Sequence, residues 1–171
     1  MSHTSLWTDF YCEDMDKTHM SLDCSGSSPI DAWLKRYHDP PLHAIDRLKS
    51  VVIHGHQYNI RAVTAQLSYP APLLESLRIE GHGELHVDNG QNVISTTLFG
   101  GDLSSLRDLY LQGIRTELPW RNMVNLTSFA LVYKSGGRIS VMQLLDFLES
   151  TPHLRKVQLH FSVPILGPYS G

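Results

Sequence analysis

The chain has 171 residues, 42% of them hydrophobic and 18% charged, which fits one globular domain with a real core and excludes a disordered chain. Lys and Arg (14) are outnumbered by Asp and Glu (17), so the net charge of −3 offers no basic face for nucleic acid. No apolar run reaches the roughly 18 residues of a membrane span, and the opening lacks the basic patch and apolar block of a secretory signal.

Residues 1–29 read as an N-terminal segment and capping unit. Leu6–Phe10 is followed by a short helix expected near 17–24, which Ser25-Gly26-Ser27-Ser28-Pro29 breaks. Cys12 and Cys24 fall in this segment. One pair forms neither a disulfide scaffold nor a four-ligand zinc site, so reduced thiols in a cytoplasmic or nuclear protein are expected. Ile30, Ala32 and Leu34 then alternate with Asp31 and Trp33, as in a half-buried strand. Trp7, Trp33 and Trp120 are expected as packing anchors. Asp39-Pro40-Pro41 is a second break.

Over residues 30–160 one hexad recurs: an apolar residue, two variable ones, a second apolar residue, one variable, a third apolar. Its copies are Leu74, Leu77, Ile79; Leu106, Leu109, Leu111; Leu126, Phe129, Leu131; and Leu154, Val157, Leu159, with a weaker one at Leu48, Val51, Ile53. Their middle residues lie 26, 32, 20 and 28 positions apart, against the about 20–29 residues of a leucine-rich repeat. In such repeats one short strand and a return segment form a unit whose apolar face only stacking can bury. The pattern predicts an α/β fold, an irregular leucine-rich-repeat solenoid with a curved, mainly parallel sheet and short helices or loops on the convex side. Strands are expected near residues 32, 52, 78, 110, 130 and 158.

The returns differ from one another. Residues 60–67 read as a short helix with Val63 and Leu67 on one face, stopped by Tyr69-Pro70-Ala71-Pro72. Residues 81–101, with five glycines, read as the longest linker, and Gly100-Gly101 as a tight turn. Ser140 with Gln143 forms a capping box opening a helix near 140–150, where Val141, Leu144, Leu145 and Leu148 predict one buried stripe. A regular repeat carries Asn or Cys three residues after the last apolar position. Here those places hold His56, His82, Ile114, Lys134 and Ser162, so the turns must satisfy their amides differently. Residues 161–171 read as a C-terminal tail, with Phe161, Val163, Ile165 and Leu166 expected over the last unit.

Ten histidines raise a metal hypothesis, centred on His54 and His56 with His82 and His86 in the next unit. No Cys-x-x-Cys, His-Glu-x-x-His or carboxylate cluster accompanies them, so no metal or other cofactor is expected. No Gly-x-Ser-x-Gly elbow is present, and Gly81-x-Gly83 lacks the third glycine of a dinucleotide loop, so no catalytic residues are assigned. What remains is surface. Residues alternating with the buried ones face outward: His54 (with Ser50 and Val52), Arg78 and Glu80, Asp108, Tyr110 and Gln112, and Lys156, Gln158 and His160. This concave strip, mixed in charge and holding a Tyr and an Arg, suits an unidentified protein partner.

Several phrases in order resemble the leucine-rich region of F-box proteins from mushroom-forming (basidiomycete) fungi. They are Ser5-Leu6-Trp7-Thr8, Pro70-Ala71-Pro72-Leu73-Leu74-Glu75-Ser76-Leu77, Leu98-Phe99-Gly100-Gly101, Leu106-Arg107-Asp108-Leu109 and Gln143-Leu144-Leu145-Asp146-Phe147-Leu148. The likeness covers nearly all of residues 5–160 and implies a non-enzymatic substrate-recognition subunit of a Skp–cullin–F-box ubiquitin ligase. The F-box itself would precede Ser5, where this sequence has four residues, so the ligase adaptor is expected as a partner only if an F-box lies upstream. A leucine-rich scaffold or truncated fragment with no role in ubiquitination is the alternative, and a small metal-dependent hydrolase using His54 and His56 a distant third.

Overall fold

A computed structural model describes residues 9–11, 23, 25–35, 42–82, 93–94, 98–116, 122–133 and 140–161. Its strands are β1 (Asp9–Tyr11), β2 (Ile30–Lys35), β3 (Leu48–His56), β4 (Ser76–His82), β5 (Val93–Ile94), β6 (Asp108–Gln112), β7 (Arg115–Thr116), β8 (Ser128–Tyr133) and β9 (Lys156–Phe161). Its α-helices are α1 (Gln57–Gln66) and α2 (Val141–Ser150). The six strands expected from the hexads and from residues 30–34 form one parallel sheet in chain order, β2-β3-β4-β6-β8-β9, and β1 adds a seventh at the β2 edge. The chain is thus α/β with an all-parallel sheet. Strands β5 and β7 form a separate parallel pair. The expected helix near 17–24 falls largely outside the described residues. Cys12, Cys24, Trp7, Trp120, residues 39–41 and the tail from 162 lie outside them altogether.

Parallel pairing aligns the hexads. Val51, Leu77, Leu109, Phe129 and Val157 stand side by side in one row, and Ile53, Ile79, Leu111, Leu131 and Leu159 in the next. From β3 to β8 these residues are at most 1% exposed, and Leu48, Leu74, Leu106 and Leu126 are equally buried behind them. The rows end at β9, the last strand in the sheet order, where Val157 is 45% exposed.

At the entry end of the strands each carbonyl receives amides from the next unit. Lys49 O accepts from Glu75 N at 2.8 Å, Glu75 O from Arg107 N at 2.8 Å, Arg107 O from Thr127 N at 2.8 Å, and Thr127 O from Arg155 N at 2.9 Å. At the exit end two glycines meet. Gly113, with φ +61°, donates to Val132 O at 2.8 Å and lies against Gly81, so close that a Cβ on either residue would run into the other's backbone. Gly81 and His82 belong to β4, so the linker expected from 81 does not include them, and residues 83–92 lie outside the described residues. Gly100 and Gly101 both have positive φ, as their tight turn requires.

Two return helices pack on the inner face. Helix α1 starts three residues earlier than expected, at Gln57, and buries Ile60 and Val63 with Leu67 just past its end. Helix α2 has the expected capping box: Ser140 Oγ accepts from Met142 N at 3.3 Å, and Gln143 Oε1 accepts from Ser140 N at 3.2 Å. Its buried stripe differs from the expected one. Val141 and Leu145 are exposed (69% and 48%), while Phe147 is fully buried, with Leu144, Leu148 and Thr151 packed beside it. Both stripes have i, i+3, i+4, i+7 spacing. Phe147 decides between them by lying 4.6 Å from the ring of Phe129 on β8.

Three substitutions test this packing. Leu109→Ala removes a side chain 1% exposed in the middle row and is expected to cost about 2–5 kcal/mol in urea unfolding. Gly26→Ala meets nothing within 4 Å at φ +58° and measures the left-handed backbone cost alone, about 1–2 kcal/mol. Gly113→Ala is expected to cost distinctly more, because it also strikes Gly81. Equal losses at the two glycines would refute the close approach.

Candidate functional site

The alternation that buries the hexads ranks the remaining residues into rows on the open face of the sheet. One row runs Trp33, Val52, Arg78, Tyr110, Ala130, Gln158 across β2 to β9; the next carries His54, Glu80, Gln112, Val132 and His160 from β3 onward. Asp108 and Lys156 share a third row with Ser76 and Ser128. All nine residues singled out by sequence thus lie on one face.

Five of the nine are joined. Glu80 Oε1 accepts from Arg78 Nε at 2.5 Å in an ion pair that also brings Nη2 to 2.5 Å, and Glu80 Oε2 lies 3.0 Å from His54 Nδ1. A carboxylate can only accept, so Nδ1 carries the proton in this contact. The Arg78 guanidinium sits over the Tyr110 ring, 4.3 Å from its centroid, a cation–π contact. Tyr110 OH donates to Gln112 Oε1 at 2.6 Å. On β9, Gln158 and His160 make a separate pair at 3.1 Å. Asp108 and Lys156 line a shallow cleft of about 200 Å³ with Arg78, Tyr110 and Gln158, and neither side chain is bonded among the described residues.

Trp33, expected as a packing anchor, is 38% exposed in the row of Arg78 and Tyr110, where β2 pairs with β3 in the register Trp33↔Val52. The alternation of Ile30, Ala32 and Leu34 already pointed Trp33 outward. His82 also joins the face: its ring lies 5.1 Å from that of His54 and 6.4 Å from that of His56. His86 lies outside the described residues. Among the described residues no group of three or more His, Cys, Asp or Glu is placed to hold a metal ion, and no helix is long and apolar enough to cross a membrane. No family model, curated protein or solved structure matches the chain.

Partial burial pushes the Glu80 carboxyl up, but hydrogen bonds from Arg78 and His54, with their charges, outweigh it and hold Glu80 below the usual carboxylate range. A carboxylate depressed in the folded state adds stability above its unfolded value, about 4.3, and loses that contribution as pH falls through the lower folded value. The difference in melting temperature between wild type and Glu80→Gln is therefore expected to shrink below about pH 4. A difference that stays constant from neutral pH into acid would show that the Arg78–Glu80–His54 contacts do not form in solution.

Proposed function

We propose that the chain is an irregular leucine-rich-repeat solenoid whose open, concave sheet face binds a protein partner. By resemblance to the F-box family it serves as the substrate-recognition part of a ubiquitin ligase, acting in the cytoplasm or nucleus without catalytic residues of its own. Hexads repeating in register along an all-parallel sheet support the repeat architecture. One observation carries the binding role: the exposed Arg78 guanidinium stacked on Tyr110 and paired with Glu80. Arg and Tyr dominate interface hot spots. A side chain already held in place loses less conformational entropy when a partner covers it.

Affinity purification of wild type and Tyr110→Ala from basidiomycete cells, followed by titration of the recovered partner, tests the face. Tyr110→Ala is expected to weaken binding by about 2 kcal/mol or more, with a smaller stability change of about 1–2 kcal/mol, because its hydrogen bond to Gln112 and its contact with Arg78 are lost from the fold. The ligase reading further requires that the partner's half-life lengthen when the protein is depleted. Unchanged turnover of a partner that still depends on Tyr110 would leave a scaffold and remove the ligase. A Tyr110→Ala variant that binds as tightly as wild type would remove the face.

A further inference from the structure

The entry ladder creates a second surface. Because Lys49, Glu75, Arg107, Thr127 and Arg155 occupy the same place in successive units, the ladder lays their side chains in a line across the strand-entry end of the sheet. They line a trench of about 540 Å³ that shares no residue with the open face. Four strand spacings separate Lys49 from Arg155, about 19 Å, which is the reach of roughly six residues of extended chain. The trench is long and narrow rather than a cup for one small ion.

Its charge runs against that of the chain. The whole protein carries −3, yet the trench holds Lys49, Arg107 and Arg155 against the single carboxylate of Glu75, with His153 on its wall. Glu75 lies 3.8 Å from Lys49 and engages that end only. Arg107 and Arg155 are exposed, and neither has a side-chain partner among the described residues. They stand two strands apart, about 9.6 Å, with Thr127 between them. The neighbouring polar groups are already turned to the backbone: Thr127 Oγ1 donates to Arg107 O at 3.0 Å, Asn125 Nδ2 to Ser104 O at 2.7 Å, and Ser105 Oγ to Pro72 O at 2.6 Å. The two guanidinium groups, with the ring of His153, are thus the side-chain donors left for a ligand at that end. Leu73, 47% exposed and two residues before Glu75, also lines the trench.

We propose that this trench binds an extended acidic segment of a protein partner, with an apolar residue over Leu73 and two carboxylates on Arg107 and Arg155. Guanidinium and carboxylate pair as two parallel charge-assisted hydrogen bonds, and arginine clusters read acidic peptides in this way. The surface stands independently of the open-face reading.

The test is fluorescence anisotropy of the full chain with a fluorescein-labelled peptide of one leucine followed by six alternating glutamates and aspartates. Binding is expected to weaken as salt rises and to fall about tenfold or more in Arg107→Glu/Arg155→Glu. Melting confirms that the variant is folded, and Arg107→Gln/Arg155→Gln substitutes if it is not. Tyr110→Ala is expected to bind the peptide as wild type does. No wild-type binding, equal binding of the peptide with Gln and Asn in place of Glu and Asp, or an unchanged affinity in the double variant overturns the proposal. Displacement by inorganic phosphate at concentrations that leave ionic strength unchanged would make this a simple anion site. Tighter binding of a single-stranded RNA of equal charge would make it a nucleic-acid site. Either result overturns the peptide assignment.

Discussion

Everything described here depends on the in-register stacking of apolar residues along parallel strands. A single hexad presents two inward side chains and one flanking leucine, too little to bury by itself, so each unit is stable only against its neighbours. Leu77 is buried because Leu109 and Val51 flank it, and Leu109 because Phe129 follows. The same register sets the outer rows. A slip of one residue would turn Leu109 outward and Tyr110 inward, so the core cannot be preserved while the open face is rearranged. Val157 shows the cost of an edge: among the described residues no strand follows β9, and Val157 occupies the row of Phe129 yet remains nearly half exposed.

That coupling explains which features were legible. The hexads located the strands because period-two alternation with fixed leucines is local information. The capping box at Ser140 and Gln143 was legible for the same reason, since both partners lie within one helical turn. The stripe of α2 was not. Val141, Leu144, Leu145 and Leu148 satisfy helical periodicity as well as Leu144, Phe147, Leu148 and Thr151 do, and the choice rests on Phe129, eighteen residues away and contributed by another unit. Gly81 read as linker because its neighbour, Gly113, comes from the next unit. The alternation of Ile30, Ala32 and Leu34 pointed Trp33 outward, but which residues share its row depends on the pairing of β2 with β3. That the nine outward residues share one face followed from alternation, but the bonds among them required distances. Nothing in their spacing chose Glu80 as the group that holds both Arg78 and His54.

The open face and the trench differ in how their charges are managed. On the open face Arg78 is satisfied by Glu80 and Tyr110, and Glu80 also by His54, so a partner meets side chains already fixed and largely neutral in sum. Such a surface favours shape and stacking over long-range attraction. In the trench Arg107 and Arg155 are unsatisfied among the described residues, so their field extends into solvent until salt screens it. Surfaces of that kind speed encounter more than they deepen affinity.

The two surfaces are one residue apart along the chain. Glu75 faces the trench and Ser76 the open face; Arg107 and Asp108, and Arg155 and Lys156, divide in the same way. A partner segment leaving the trench at Arg155 would meet Lys156 and then Gln158 on the open face without spanning any gap. Engagement of one surface would raise the effective concentration of the segment at the other. Under the proposed readings, two modest sites on a 171-residue chain could therefore act as one extended site. Their separation is set by the same strand register that builds the core.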